Sequence, residues 1–266
     1  MSGDVWQSKC ESVQLHCGDA LRVLPTLERG SVQALITDPP YSSGGVFRSD
    51  RSQSVQDKYQ QSTQAKQWSS FSGDNRDQRS FLAWSTLWLL DCFDLLSDGG
   101  YALVFTDWRQ LPVLTDAVQA AGFIWRGLIS WDKGPSARAP HKGYFRHQCE
   151  YVVWGTKGPL SIAEHDGPYP GCIQQSIDRS DKHHLAGKPV ELLAQLCRIV
   201  KPGDVVLDPF LGSGTTARAA VRMGRRCIGI ELDQAHFDTA RRLVRDELSM
   251  QLPFGETKVL AAQQLF

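Results

Sequence analysis

Long apolar runs, a net charge and closely spaced cysteines are all missing from this 266-residue sequence. The apolar runs fall far short of the roughly 20 residues that cross a bilayer, so no membrane association is expected. The N-terminal stretch "MSGDVWQSKCESV" lacks the apolar core of a secretory signal. The seven cysteines (10, 17, 92, 149, 172, 197 and 227) are odd in number, scattered and without a CxxC pair. That excludes a disulfide framework or a cysteine zinc site as an expectation and fits a reducing cytoplasm. His183-His184 and the other histidines show no metal-ligand spacing, and no metal is expected. With 29 basic against 29 acidic side chains, an overall basic coat for nucleic acid is excluded as well. No internal repeat is present.

What is there is an alternation. Apolar, strand-like runs bounded by Gly, Pro or Asp occur at 12–17, 32–37, 101–106, 123–131, 150–155, 204–208 and 226–231. Helical patterns lie between most of them, at 79–96, 190–200, 215–223 and 234–248. Pro189 suits a helix start, and Gly224 suits a helix end. Strands alternating with helices imply an α/β fold, with a mostly parallel sheet covered by helices on both faces. Two stretches break the rhythm. Residues 42–80 are rich in Ser, Gln and Arg and read as a mobile loop. Residues 156–187 are broken by Gly and Pro and read as an inserted region. The remainder, 1–250, reads as one domain, and 251–266 reads as a C-terminal tail.

The run Ala34-Leu35-Ile36 ends in "TDPPY". Pro39 and Pro40 lack N–H groups and cannot continue a ladder, so the chain leaves the strand as a stiff turn. Asp38 and Tyr41 are thereby held at the carboxyl end of a strand, where open α/β sheets bind ligands. Taken alone, the motif fits a surface Asp-Pro turn equally well. A second strand, ending at Asp208, runs into "PFLGSGTT". Gly212 and Gly214 allow close backbone approach to a ligand, and the following helix offers unpaired N–H groups. The spacing is not the G-x-G-x-x-G of dinucleotide sites, and Phe210 occupies the turn, where it could cover an adenine ring. The next strand ends in Glu231, the place where nucleotide-binding α/β proteins hold ribose hydroxyls. Adenosine without a pyrophosphate fits best.

Four motifs in this order resemble the S-adenosylmethionine-dependent DNA amino-methyltransferases: "HCGDAL" (16–21), "DPPY" (38–41), "HHLAGKPVELLAQLCRIVKPGD" (183–204) and "DPFLGSGTT" (208–216). The catalytic motif precedes the cofactor motif, as in the circularly permuted β group, and the resemblance covers about residues 12–247. It implies a Rossmann-like, mostly parallel seven-stranded methyltransferase sheet with inserted DNA-recognition loops. The strands ending at Asp38 and Asp208 would be adjacent at the topological switch point. It also implies catalytic residues Asp38, Pro39, Pro40 and Tyr41. The implied cofactor residues are Asp19, Ala20, Lys188, Asp208, Pro209, Phe210, Gly212, Ser213, Gly214, Thr215, Thr216 and Glu231. The implied cofactor is S-adenosyl-L-methionine, leaving as S-adenosyl-L-homocysteine, and the implied partner is double-stranded DNA.

The chemistry suits these residues. An exocyclic amino group is a poor nucleophile because its lone pair is delocalised into the ring. Asp38 and the Pro39 carbonyl supply two acceptors that localise that pair and stabilise the developing positive charge. Tyr41 would stack on a base flipped out of the duplex. DPPY resembles adenine-N6 enzymes more than cytosine-N4 enzymes; the cytosine reading and a catalytically silent DNA-binding relative are the alternatives. Between Gly122 and Gln148 lie five basic residues, Arg126, Lys133, Arg138, Lys142 and Arg146, against one acid, Asp132. Trp125, Trp131, Tyr144 and Phe145 are interleaved with them. That pattern suits phosphate and base contacts or a solvated charged face, and Arg138, Lys142 and Arg146 are the candidate DNA contacts. No nuclease motif is present, so a restriction partner would be a separate protein. The family resemblance also implies a homodimer. The closing "QQLF" resembles the Gln-Leu-Phe peptides that dock on the bacterial sliding clamp, although packing on the protein itself or its dimer mate is the plainer expectation.

Overall fold

The computed structural model describes residues 4–41, 76–135, 141–160, 167–176 and 187–263, with side chains described only as far as residue 250. Arg138, the 42–75 part of the expected loop and residues 264–266 lie outside the described residues. Among the described residues, nine strands form one sheet: β1 (Val5–Gln7), β2 (Val13–Cys17), β3 (Val32–Thr37), β4 (Leu96–Thr106), β5 (Ile124–Asp132), β6 (Cys149–Thr156), β7 (Cys172–Gln174), β8 (Val205–Asp208) and β9 (Arg226–Glu231). Their spatial order is β1-β2-β9-β8-β3-β4-β6-β5-β7.

The core of the sheet is the parallel set β2-β9-β8-β3-β4. Its central strands are apolar almost throughout because both faces are covered; all four residues of β8 are buried. The seven expected strands are all present. The two additional ones, β1 and β7, are three-residue edge strands, too short for an alternation to stand out in sequence. β7 pairs in parallel with β5, so part of the expected insertion at 156–187 extends the sheet.

Six α-helices pack on the sheet among the described residues: α1 (Ala20–Val23), α2 (Gln78–Leu95), α3 (Leu111–Ala120), α4 (Val190–Leu196), α5 (Thr215–Arg222) and α6 (Gln234–Gln263). One core layer joins Phe81, Trp88 and Leu89 of α2 and Leu114 and Val118 of α3 to Leu35, Val104 and Leu207 of the sheet. The other joins Leu192 and Leu196 of α4, Ala217 and Ala220 of α5 and Phe237 and Val244 of α6 to Leu15, Ala34, Ile36 and Val206. Successive residues of β3 therefore point into opposite layers, as a pleated strand requires.

Local signals explain the helix ends. Asp77 caps α2, its side chain accepting from the Arg79 and Ser80 amides, so the expected loop ends where this cap begins. Gly224, at φ +70°, donates its N–H to the Val221 carbonyl just beyond α5. The backbone of α6 continues to Gln263, past the end expected near residue 248. No helix among the described residues is long and apolar enough to cross a membrane.

Candidate active site

Strand direction places the site. β2, β9, β8, β3 and β4 end at the same edge, bringing Asp19, Glu231, Asp208 and Asp38 there from distant parts of the chain. β6 runs antiparallel to β4, so its first residues, Cys149 and Glu150, lie at that edge too. β8 continues through α5 to β9 on one side, whereas β3 leads to β4 on the other. The chain therefore diverges between β8 and β3, and an open α/β sheet has its ligand crevice at such a point.

The junction is locked by a buried hydrogen bond: the Thr37 hydroxyl donates to Asp208 Oδ1 at 2.6 Å. The same oxygen accepts from the Phe210 amide at 3.0 Å. Asp208 is 2% exposed. Burial pushes its carboxyl above the usual value, opposed by hydrogen bonds from Thr216, Thr37 and the Phe210 amide. Its carboxylate organises the turn from beneath.

Above it, Gly212 and Gly214 adopt φ of +56° and +89°, a region that side chains disfavour. A β-carbon on Gly214 would stand 3.0 Å from Ala240 of α6, so α6 would have to give way slightly to admit one. The Gly212 amide donates to Glu231 Oε2 at 2.7 Å, and the Asp233 amide to Oε1 at 2.9 Å. Burial raises the Glu231 carboxyl to about 7 against these two bonds. Phe210 is half-buried, with its ring centroid 5.2 Å from Trp84 and 5.1 Å from Trp88; the Arg76 guanidinium lies 4.1 Å from the centroid of Trp84. Asp19 caps α1 through the Leu21 amide and stays exposed, while Ala20 is buried. Ser213 and Thr216 are buried and Thr215 is half-buried at the start of α5.

On the β3 side, Asp38 Oδ2 accepts from Lys188 Nζ at 2.6 Å. Asp38 Oδ1 is buried with no hydrogen-bond partner among the described residues. The Lys188 ammonium thus lies against Asp38. It also reaches Glu150 Oε2 and the Tyr41 hydroxyl, each at 3.3 Å. Glu150 Oε1 in turn pairs with Lys133 at 3.1 Å. Burial would deprotonate Lys188, but Asp38 and Glu150 outweigh it and hold the ammonium protonated above the usual lysine range. Burial likewise works to raise Glu150, yet Lys188 and Lys133 keep it below its ordinary value. Asp38 is the member on which burial prevails, and it is pushed up to about 6. Tyr41 is 9% exposed, and its hydroxyl donates to Glu150 Oε2 at 3.3 Å.

Glu150, Lys133, Thr37 and Trp84 were not foreseen as site residues. Glu150 carried one faint signal, an acid opening an otherwise apolar strand. Lys133 was counted only within the basic segment. Lys142 and Arg146 are exposed in the β5–β6 connection at the same edge. The neighbouring His147 ring stacks on Trp108 at 6.1 Å and 14°.

The family profile described as DNA methylase matches residues 32–242, which include both the Asp38 turn and the glycine turn. The chain belongs to the DNA methylase family. Of its curated relatives, the putative methylase YubD of Escherichia coli (strain K12) is 30% identical over 236 residues, covering 88% of this chain and 91% of YubD. The solved M1.HpyAVI–SAM complex superimposes with a TM-score of 0.61 at 24% identity, covering 86% of this chain and 98% of that one. The cytosine-N4-specific PvuII DNA methyltransferase superimposes with a TM-score of 0.66 at 18% identity, covering 91% and 92%. These two structures share the fold with this DNA methylase: a mixed α/β molecule with a large, mostly parallel sheet.

Proposed function

We propose that this DNA methylase transfers a methyl group from S-adenosyl-L-methionine to the exocyclic N6 of an adenine flipped out of double-stranded DNA. The observation that carries methylation of an amino group is Asp38 Oδ1, a buried acceptor with no partner among the described residues, one strand away from the glycine turn; the Asp-Pro-Pro-Tyr order at 38–41 favours adenine over cytosine. A buried acceptor left empty costs about 1–3 kcal/mol, a cost that an incoming N–H donor removes.

The edge suits a cationic nucleoside better than a pyrophosphate. Asp19, Glu231 and Asp38 line it with carboxylates, and the turn from 208 to 216 contains no basic residue. Glu231 is the candidate for the ribose hydroxyls and Phe210 for the adenine face. Pro209, Gly212, Ser213, Gly214, Thr215 and Thr216 form the turn around the cofactor, with Asp19 and Ala20 beside them. When bound, S-adenosyl-L-methionine supplies an electrophilic methyl on a sulfonium cation and leaves as S-adenosyl-L-homocysteine. Asp38 Oδ1 accepts one N–H of the target amino group, and the Pro39 carbonyl accepts the other. Pro39 and Pro40 keep that carbonyl's direction stiff. The lone pair is thereby turned towards the methyl, and as the new C–N bond forms the nitrogen loses a proton to solvent. Tyr41 offers a ring face to the flipped base.

Lys142 and Arg146, with Arg138, are the candidate phosphate contacts. A homodimer is the proposed working form, in keeping with the exposed Leu87 and Leu90 on α2. Nucleoside mass spectrometry of DNA treated with the protein and S-adenosyl-L-methionine tests the target base. N6-methyladenine is expected. N4-methylcytosine alone would replace the adenine assignment with the cytosine reading, which uses the same two acceptors.

A further inference from the structure

Lys188 is an unusual residue for its place. Its side chain is 8% exposed, and burying an ammonium costs several kcal/mol unless partners compensate. Its partners come from two separate parts of the chain, the 38–41 turn and the start of β6. The donors of Nζ are directed at Asp38 Oδ2 beyond β3 (2.6 Å), Glu150 Oε2 on β6 and the Tyr41 hydroxyl (both 3.3 Å). An ammonium has three donors, so this one is saturated. Around it stand the rings of Phe105, Tyr41 and Trp131, at 5.4, 5.5 and 5.9 Å from Nζ to the centroids. Glu150 is itself fixed on its other oxygen by Lys133. The charges thus alternate along a line: Lys133, Glu150, Lys188, Asp38.

We propose that Lys188 is a positioning residue for methyl transfer, pinning Asp38 Oδ2 so that Oδ1 stays vacant and ionised for the target amino group. The inference rests on reading Asp38 as the acceptor for that group. The groups facing Asp38 are Lys188, Glu150 from β6, Asp208 from β8 and the Tyr41 hydroxyl. Lys188 is the one cation of this set; burial, Glu150 and Asp208 all favour protonation of Asp38. A protonated Asp38 would turn an acceptor into a donor and set it against the N–H it has to receive.

Two variants of opposite sign test this. K188M preserves length and removes the charge. E150Q removes a negative charge near Asp38 and leaves an amide oxygen for Lys188 to bond. The titration midpoint of Asp38 is read by carbon-13 NMR of protein labelled at the aspartate carboxyl, the signal being assigned by its loss in D38N. The rate is read as single-turnover transfer of tritiated methyl from S-adenosyl-L-methionine to unmethylated plasmid DNA between pH 5.5 and 9. K188M is expected to raise the midpoint and the acid limb of the rate together, by about one to three pH units, with rate recovered at pH 9. Affinity for S-adenosyl-L-methionine stays within about threefold, because the ammonium is already saturated within the protein. E150Q is expected to move both midpoint and limb the other way.

An unchanged Asp38 midpoint in K188M overturns the proposal. So does a loss of cofactor affinity with the midpoint unmoved, which would make Lys188 a cofactor ligand. If K188M does not fold, E150Q decides, and a midpoint that stays or rises counts against the proposal. The NMR arm needs no turnover. A shifted midpoint in protein that methylates neither adenine nor cytosine would uphold the Lys188–Asp38 link and refute the reaction proposed above.

Discussion

Replacing Thr37 by valine tests the junction on which the whole site is built. The two side chains have nearly the same shape, so the change removes the 2.6 Å hydrogen bond from the Thr37 hydroxyl to Asp208 and little else. Both residues are buried, and water does not readily replace the lost donor. Hydrogen bonds to charged groups contribute about 1.5–3 kcal/mol. Taking about 2 kcal/mol, and about 2–4 °C per kcal/mol for a chain of this size, the melting temperature should fall by about 4–8 °C at pH 8. The sign of the pH dependence follows from Asp208, whose carboxyl is raised in the folded protein by burial. The folded state therefore holds that proton more tightly than the unfolded chain. Stability contributed by the group falls as pH rises from the unfolded value through the folded one. Thr37 opposes the shift, so T37V widens the window upward, and its loss is larger at pH 8 than at pH 5. Asp208 also holds the Phe210 amide at 3.0 Å, so a few-fold loss in cofactor affinity should accompany the melting shift. Thermal melts at both pH values, with calorimetric titration of S-adenosyl-L-methionine, read all three effects. A melting temperature at pH 8 within about 1 °C of the parent, or a larger loss at pH 5, would refute the reasoning.

Other perturbations separate the parts of the site. Asp38→Ala should abolish methyl transfer while calorimetric affinity for S-adenosyl-L-methionine stays near that of the parent; comparable transfer rates in the two proteins would end the proposed mechanism. Phe210→Ala removes the ring packed on Trp84 and Trp88 and should weaken cofactor binding by about 1–3 kcal/mol, the usual range for a base on an aromatic face; unchanged affinity would place the adenine elsewhere. Glu231, raised to about 7 by burial, should give affinity that is full above that pH and declines as the carboxylate protonates, by at most about tenfold per pH unit; a flat profile from pH 8 to 6 would remove it from the cofactor contacts. Neutralising Lys142 and Arg146 together should lower the slope of log affinity for DNA against log salt by about two units, and an identical slope would mark them as a solvated face.

Much of the architecture was legible because it rests on local periodicity. Buried parallel strands read as apolar runs, and "VQALIT" and "DVVLD" needed no knowledge of their neighbours. The proline turn after Asp38 and the glycine turn after Asp208 were legible for the same reason, since backbone constraints are written in the residues that impose them. β1 and β7 were not, because a three-residue edge strand carries no period. The continuation of α6 was hidden by Pro253 and Gly255, which read locally as a break.

The sequence by itself thus determined which strands would end in carboxylates and which turns would be stiff or open. Only the tertiary structure decided what each carboxylate touches. Thr37 and Asp208 stand 171 residues apart and Lys188 and Asp38 150 apart; their meeting depends on sheet order, which no local pattern encodes. Glu150 enters the site because β6 runs against its neighbours, so that the start of one strand lies beside the ends of the others. Burial, a property of the assembled layers, then separates the acids: Asp208 is spent on the turn, Glu150 is held ionised between two lysines, and Asp38 keeps one oxygen vacant.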